Sequence, residues 1–230
     1  MTKNKQNMAC YICGQTATSV EHAPAKCFFP EDKRTNLTTV DSCSMHNEDT
    51  SKDDEYVRNI IAMSLGNNQV ALDHFLKKCI KSFIKSPKLL KATTGINKRV
   101  YYKDNDATDE EIKPTYTFKI DRNRIDLVMR KIAYATYYKK YGTTWNRELA
   151  IGTEYLRNEG LGADDFGLLI QAAKKVLIPA TFEGNNPEVF QFSFQQTESE
   201  DTNDQILIMK FYEGFEVWVF PLSDTTGPKI

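Results

Sequence analysis

Apolar side chains along this chain keep to two periods, and the switches between them outline its elements. In SKDDEYVRNIIAMSLG, residues 51–66, Tyr56, Ile60 and Met63 recur at helical spacing. Ser51 is expected to cap that helix, Asp54 three residues on to complete a capping box, and Gly66 to end it. NQVALDHFLKKCIKSFIKS predicts a second amphipathic helix, ending before Pro87. RNRIDLVMRKIAYATYYKKYG predicts a third, with Ile125, Val128, Ile132 and Ala135 on one face and Gly142 at its end. Further helices are expected over NRELAIGTEYLRNEG and ADDFGLLIQAAKKVLI.

KRVYYK and TYTFKI alternate as strands do, with the polar DNDATDEE between them as a loop. Strand alternation returns at the end in VFQFSFQQ, QILIMKFY and FEVWVF. No internal repeat and no low-complexity linker interrupts the order. The expected fold class is α+β: residues 1–65 form a small metal-rich module, and residues 66–230 form a mainly helical region with a C-terminal α+β part of antiparallel strands.

Composition narrows the functional classes. At 230 residues, with 40% hydrophobic and 27% charged content, the chain has enough material for a sizeable core and does not resemble a disordered segment. No apolar run approaches the roughly 20 residues that cross a bilayer. The N-terminal MTKNKQNMACYICG lacks the apolar stretch of a signal peptide, so the compartment this points to is the cytoplasm. Disulfides are rare there, and five cysteines, an odd number, read more naturally as metal ligands plus spare core thiols. The net charge of −1 means that any nucleic-acid contact must come from local patches.

Two short pairs carry the candidate chemistry. Cys10 and Cys13 form a C-x2-C knuckle followed at once by Gly14, and Cys43 and His46 form a C-x2-H pair. A two-residue gap lets both side chains of a tight turn reach one tetrahedral ion, so the four together suit structural zinc. Without a metal, Cys10 and Cys13 would be small buried residues and His46 a surface side chain. Cys27 and Cys79 have no partner at ligand spacing; Cys79 lies on an apolar helical face and reads as core, and His74 on the same helix reads as a polar or partly buried histidine without catalytic duty. Between the pairs lies VEHAPAKCFFPEDKRTNLTTV, in which Glu21 directly precedes His22 and Asn36 precedes a strand-like piece leading to Cys43. Asn47 follows the last zinc ligand, so zinc would draw Glu21, His22 and Asn47 together.

In CYIC, EHAPAKCFF, RTNLTTVDSCSMHN and the acidic SKDDEYVR, the first sixty-five or so residues resemble the HNH endonucleases, ββα-metal nucleases with a zinc-stapled finger. A weaker likeness to bacterial HNH proteins extends into RNRIDLVMRKIAYATYYKKYG and MKFYEGF. The resemblance implies that His22 is the general base, that Glu21 and Asn47 bind a catalytic Mg²⁺ or Mn²⁺, and that Asn36 holds the loop orienting His22. It implies structural Zn²⁺ on Cys10, Cys13, Cys43 and His46. Two departures stand out: His46 replaces the more usual cysteine, and Thr50 stands where many members have a lysine near the site, leaving Lys52 as an alternative phosphate contact. Family context adds bacterial anti-phage defence, with an ATPase partner or a homo-oligomer.

The chemistry of the residues agrees. Phosphodiester hydrolysis needs an activated water and positive charge on the phosphate oxygens. Histidine suits the first role near neutral pH, and hard cations take oxygen ligands such as carboxylate and amide. For the substrate, nucleic acid with DNA foremost, KKCIKSFIKSPKLLKATTGINKRVYYK holds eight lysines, one arginine and no acid. The candidate phosphate contacts are Lys77, Lys78, Lys81, Lys85, Arg130 and Lys131. The competing reading is that these lysines form solvated helix faces. The competing function is a non-catalytic zinc module that binds nucleic acid or protein.

Overall fold

The computed structural model describes residues 8–47, 50–94, 98–103, 112–117, 120–153, 163–177, 180–197, 201–222 and 227–228. It is a mixed α and β fold whose sheets are all antiparallel. The N-terminal part is a two-stranded ribbon followed by helix. Strand β1 (Ser19–His22) pairs with β2 (Thr39–Ser42), with His22 opposite Thr39 and Glu21 opposite Val40. One helical turn, α1 (Ser44–Asn47), leads into α2 (Ser51–Ala62).

The N-cap of α2 is Thr50, one residue earlier than the sequence predicts, and Ser51 is the first helical residue. No side-chain capping bond forms. The Thr50 hydroxyl instead accepts from Lys131 Nζ, whose charge opposes the burial that raises the Asp54 carboxyl.

The second expected helix is a continuous rod of α3 (Gln69–His74), a π-helical turn at Phe75–Cys79 and α4 (Ile80–Lys85). Pro87 does not merely stop it. It opens α5 (Pro87–Thr94), with the Ser86 hydroxyl accepting from Leu89 N at 3.2 Å, because proline at a first helical position has no N–H to leave unpaired. β3 (Lys98–Lys103) and β4 (Ile112–Thr117) form a separate ribbon. The loop expected between them lies outside the described residues.

The longest helix, α6 (Arg122–Tyr141), follows its apolar period closely and ends on Gly142 in the left-handed region at φ 72°. Its N-cap Asp121 accepts from Arg124 N. After it comes a correction. The helix expected over NRELAIGTEYLRNEG is replaced where the chain is described by strand β5 (Leu149–Gly152), paired with the C-terminal strand β9 (Phe215–Pro221). Tertiary pairing overrides a local pattern of only four residues, and Arg130 Nε fastens β5 to α6 by donating to Leu149 O at 3.0 Å.

Helix α7 (Ala163–Val176) then leads to β6 (Glu183–Asn186), β7 (Phe190–Gln195), β8 (Ile206–Phe211) and β9. The sheet order is β5-β9-β8-β7-β6. Alternation along these strands divides the apolar side chains between two faces. Leu207, Met209, Val217 and Val219 join the α6 core beside Tyr137 and Trp145, whose rings stack at 4.7 Å. Ile208, Trp218 and Phe220 meet Ile170 of α7 on the other face.

The main buried cluster runs without a break from Cys10, Tyr11 and Ile12 through α2 and α6 to the sheet. The β8–β9 turn, with Tyr212 and Glu213 at positive φ, closes against the segment after α2, where Asn68 N donates to Tyr212 O at 3.0 Å. Among the described residues, no helix is long and apolar enough to cross a membrane.

Candidate metal and catalytic site

The first knuckle turns sharply because Gly14 takes φ 69° and donates its N–H to Cys10 O at 2.9 Å. The second follows β2, with His46 N donating to Cys43 O at 3.1 Å. The two turns meet. The ligand atoms of Cys10, Cys13, Cys43 and His46 all lie within 4.8 Å of one another. His46 Nδ1 is 3.4 Å from Cys10 Sγ and 3.3 Å from Cys43 Sγ, and Cys13 Sγ is 3.9 Å from Cys43 Sγ. A tetrahedron with Zn–S of about 2.3 Å and Zn–N of about 2.0–2.1 Å spaces its ligand atoms about 3.5–3.8 Å apart, so the cluster has the dimensions of a zinc site.

The electrostatics agree with that use. Burial pushes the Cys10 thiol up, but backbone N–H groups of Cys13, Cys43 and Ile12, with His46, outweigh it and bring the pKa to about 6. Such a thiol is a thiolate at neutral pH. The Cys13 thiol is pushed up by burial and by the neighbouring Cys10 charge, although the Gln15 N–H opposes the shift. A divalent ion bound there would favour the ionised form of the Cys13 thiol against that upward shift. This Cys3His cluster can hold a metal ion such as zinc. Cys27 and Cys79 stay outside it, with thiols pushed by burial to about 12 and about 11.

Of the residues expected to do chemistry, Asn47 directly follows the ligand His46 and reaches β1. Asn47 Nδ2 donates to Ser19 Oγ at 2.7 Å, which seats the asparagine against β1 and leaves its Oδ1 available as an oxygen donor. Glu21, two residues from Ser19, leaves the strand on the same face. Its side chain is 11% exposed and held on both oxygens: Tyr11 donates to Oε2 at 3.0 Å, and Lys131 Nζ meets Oε1 at 2.5 Å. A carboxylate offers about four lone-pair positions, so two remain for a cation, and with the Asn47 amide oxygen the donor set suits a hard divalent ion.

His22 ends β1 and is half-buried, and among the described residues its ring makes no hydrogen bond. Burial and then the Lys26 charge hold its pKa below the ordinary histidine value, so it is neutral and able to accept a proton at pH 7. Asn36 is exposed in the loop before β2 at φ 54°, a conformation asparagine tolerates well. That loop is tied to β6: Asn185 Nδ2 donates to Asn36 O at 2.7 Å and Asn186 Nδ2 to Thr35 O at 3.1 Å.

The expected phosphate contacts divide. Lys77, Lys78, Lys81 and Lys85 are exposed on the α3–α4 rod, with Lys77 3.9 Å from Asp73 and Lys78 4.0 Å from Glu31. Arg130 is engaged with Leu149 O, as described above. Lys131 is 3% exposed and faces Glu21 instead of solvent, so the two α6 cations belong to the interior framework. The α6 tyrosines do likewise, with Tyr134 and Tyr137 fully buried.

Sequence reasoning missed Tyr11 and gave Lys131 and Asp54 other roles, a phosphate contact and a helix cap. Burial, opposed by Lys131 and reinforced by Glu21, raises the Asp54 carboxyl to about 6. A signal existed for Lys131, which stands three residues after Val128 and four before Ala135 on an apolar stripe, where a charge needs a buried partner. At Thr50, where the resemblance expects a lysine, the ammonium of Lys131 arrives from another helix. Compared with known proteins, the chain matches no family model, no curated sequence and no solved structure.

Proposed function

We propose that the chain is a metal-dependent endonuclease of the HNH type, hydrolysing phosphodiester bonds in nucleic acid, with DNA as the first candidate substrate. The observation that carries the reading is the ββα unit built on a Cys3His cluster, in which Glu21 and Asn47 lie on one face of β1 and His22, whose ring makes no hydrogen bond among the described residues, ends the same strand. Zinc on Cys10, Cys13, Cys43 and His46 would fix the ribbon to α1. Glu21 and Asn47 would hold Mg²⁺ or Mn²⁺, which when bound supplies positive charge to the phosphate oxygens and the leaving oxygen.

The remaining steps belong to the protein. In this reading a phosphate lies across the end of β1, where Glu21 and His22 are consecutive residues on alternate faces of the strand. Neutral His22 accepts a proton from the attacking water, and the hydroxide formed adds to phosphorus as the ester oxygen departs. The exposed lysines of the α3–α4 rod supply sequence-independent phosphate attraction, which weakens as salt rises. Bacterial anti-phage defence, with an ATPase or another copy as partner, fits this activity.

The test is cleavage of supercoiled plasmid with added Mg²⁺ or Mn²⁺. His22→Ala is expected to lower the rate by about 10²–10⁴, the usual contribution of a general base. Equal cleavage by wild type and His22→Ala would remove the enzyme reading. The second reading, a non-catalytic zinc module, draws on the Glu21 carboxylate being already engaged by Lys131 and Tyr11. It predicts salt-sensitive binding with no cleavage under any divalent ion.

A further inference from the structure

The Glu21 carboxylate is the meeting point of three elements that are far apart in the chain. Tyr11 lies inside the first knuckle, between Cys10 and Cys13, is fully buried and aims its hydroxyl at Oε2. Lys131 comes from the middle of α6, and its ammonium touches both Oε1 and the Thr50 hydroxyl at the head of α2. Nothing about packing alone demands such a junction: a lysine on the apolar stripe of a helix costs desolvation that a leucine would not. Its placement makes sense if the carboxylate must stand in one orientation, since two donors on separate oxygens remove the rotation of the group about its last bond.

We infer that Tyr11 and Lys131 are positioning residues that clamp the Glu21 carboxylate, so that the geometry of the candidate site is set jointly by the Cys3His knuckle and by α6. For catalysis this rests on the nuclease reading, in which Glu21 is a cation ligand; for the clamp itself it does not. Two consequences follow. The residue 1–65 stretch lacks half the clamp when separated from α6. And loosening the knuckle releases Tyr11, so the state of the Cys3His cluster is felt at Glu21 through that hydroxyl.

The experiment uses the full chain loaded with zinc and labelled with ¹³C at glutamate side-chain carboxyls, the Glu21 resonance being identified by its loss in Glu21→Gln. Tyr11→Phe, Lys131→Met and Lys131→Arg are compared for zinc content, for that resonance, and for kcat and KM on plasmid. Tyr11→Phe and Lys131→Met are expected to keep their zinc, to move the Glu21 resonance and to lower kcat roughly ten- to a hundredfold with KM little changed, as for a misplaced catalytic group. Lys131→Arg keeps the charge and recovers part of the loss. Should Lys131→Met fail to fold, Tyr11→Phe, which deletes one oxygen, decides alone. An unmoved resonance in zinc-loaded variants overturns the clamp. If wild type does not cleave, the nuclease reading falls by itself, and the resonance still decides whether the clamp exists.

Discussion

Removing one thiolate from the Cys3His cluster is the perturbation that tests its metal-binding character. Cys43 is the best choice because it is 6% exposed and its sulfur forms two of the short edges, 3.3 Å to His46 and 3.9 Å to Cys13. Structural zinc in comparable four-ligand sites is held by about 10–16 kcal/mol. Four ligands sharing that sum contribute about 2.5–4 kcal/mol each, so Cys43→Ala should weaken zinc by roughly two to three powers of ten. Chelator competition followed by a colorimetric zinc dye measures this, alongside elemental analysis giving one zinc per wild-type chain. A metal bound only by the native state would also support the fold: with free zinc at about 100 times its Kd the native state would gain about 2.7 kcal/mol. At this chain length a chelator should then lower Tm by about 5–11 °C. Cys79→Ser is the control, since that thiol is buried in the core and lies outside the cluster. Equal zinc affinity in wild type and Cys43→Ala, or melting that ignores the chelator, would refute the argument.

Two further outcomes test the body of the fold. His74, whose Nδ1 lies 2.9 Å from the Tyr212 hydroxyl, has its pKa lowered to about 4 by burial and then by Arg58, Arg34 and Lys78. The unfolded histidine titrates near about 6.5, so between those values the unfolded chain binds the extra proton and stability falls as pH drops, by up to about 3 kcal/mol. Urea unfolding at pH 7.5 and 4.5 should show that loss reduced in His74→Gln; an identical pH dependence in both proteins would count against it. Gly214→Ala should destabilise the chain by about 1–3 kcal/mol or more, because a Cβ there would meet Gly66 O at 2.1 Å and Asn67 N at 2.7 Å, both backbone atoms. Thermal unfolding reads this directly, and an unchanged Tm would mean that the turn yields freely.

Much of the candidate site was legible because it is written in short spacings. A C-x2-C turn, a C-x2-H turn and a carboxylate beside an imidazole each involve neighbours in sequence, and the fold brings the four Cys and His ligand atoms within 4.8 Å of one another. The period of α6 was equally legible: Ile125, Val128, Ile132 and Ala135 are buried as the spacing predicts, and Gly142 ends the helix. Interpretation failed where a residue's role is set by a distant partner. The capping reading of Ser51 and Asp54 was displaced by one residue because Thr50 spends its hydroxyl on Lys131, eighty-one positions away. Lys131 read as a phosphate contact because charge on a helix is normally solvated, and only its pairing with Glu21 makes burial tolerable.

Local sequence by itself located α2, the α3–α4 rod, α6 and α7, the turns of the knuckles and the side chains that can ligate a metal, since these depend on contacts within a few residues. Tertiary structure alone decided that Leu149–Gly152 is a strand, because its hydrogen bonds go to Phe215–Pro221 and no local pattern encodes that partner. It also decided that α6 reaches into the N-terminal unit. A buried charge takes its meaning from whatever opposite charge the fold brings within bonding distance, and that proximity is a property of the packed chain.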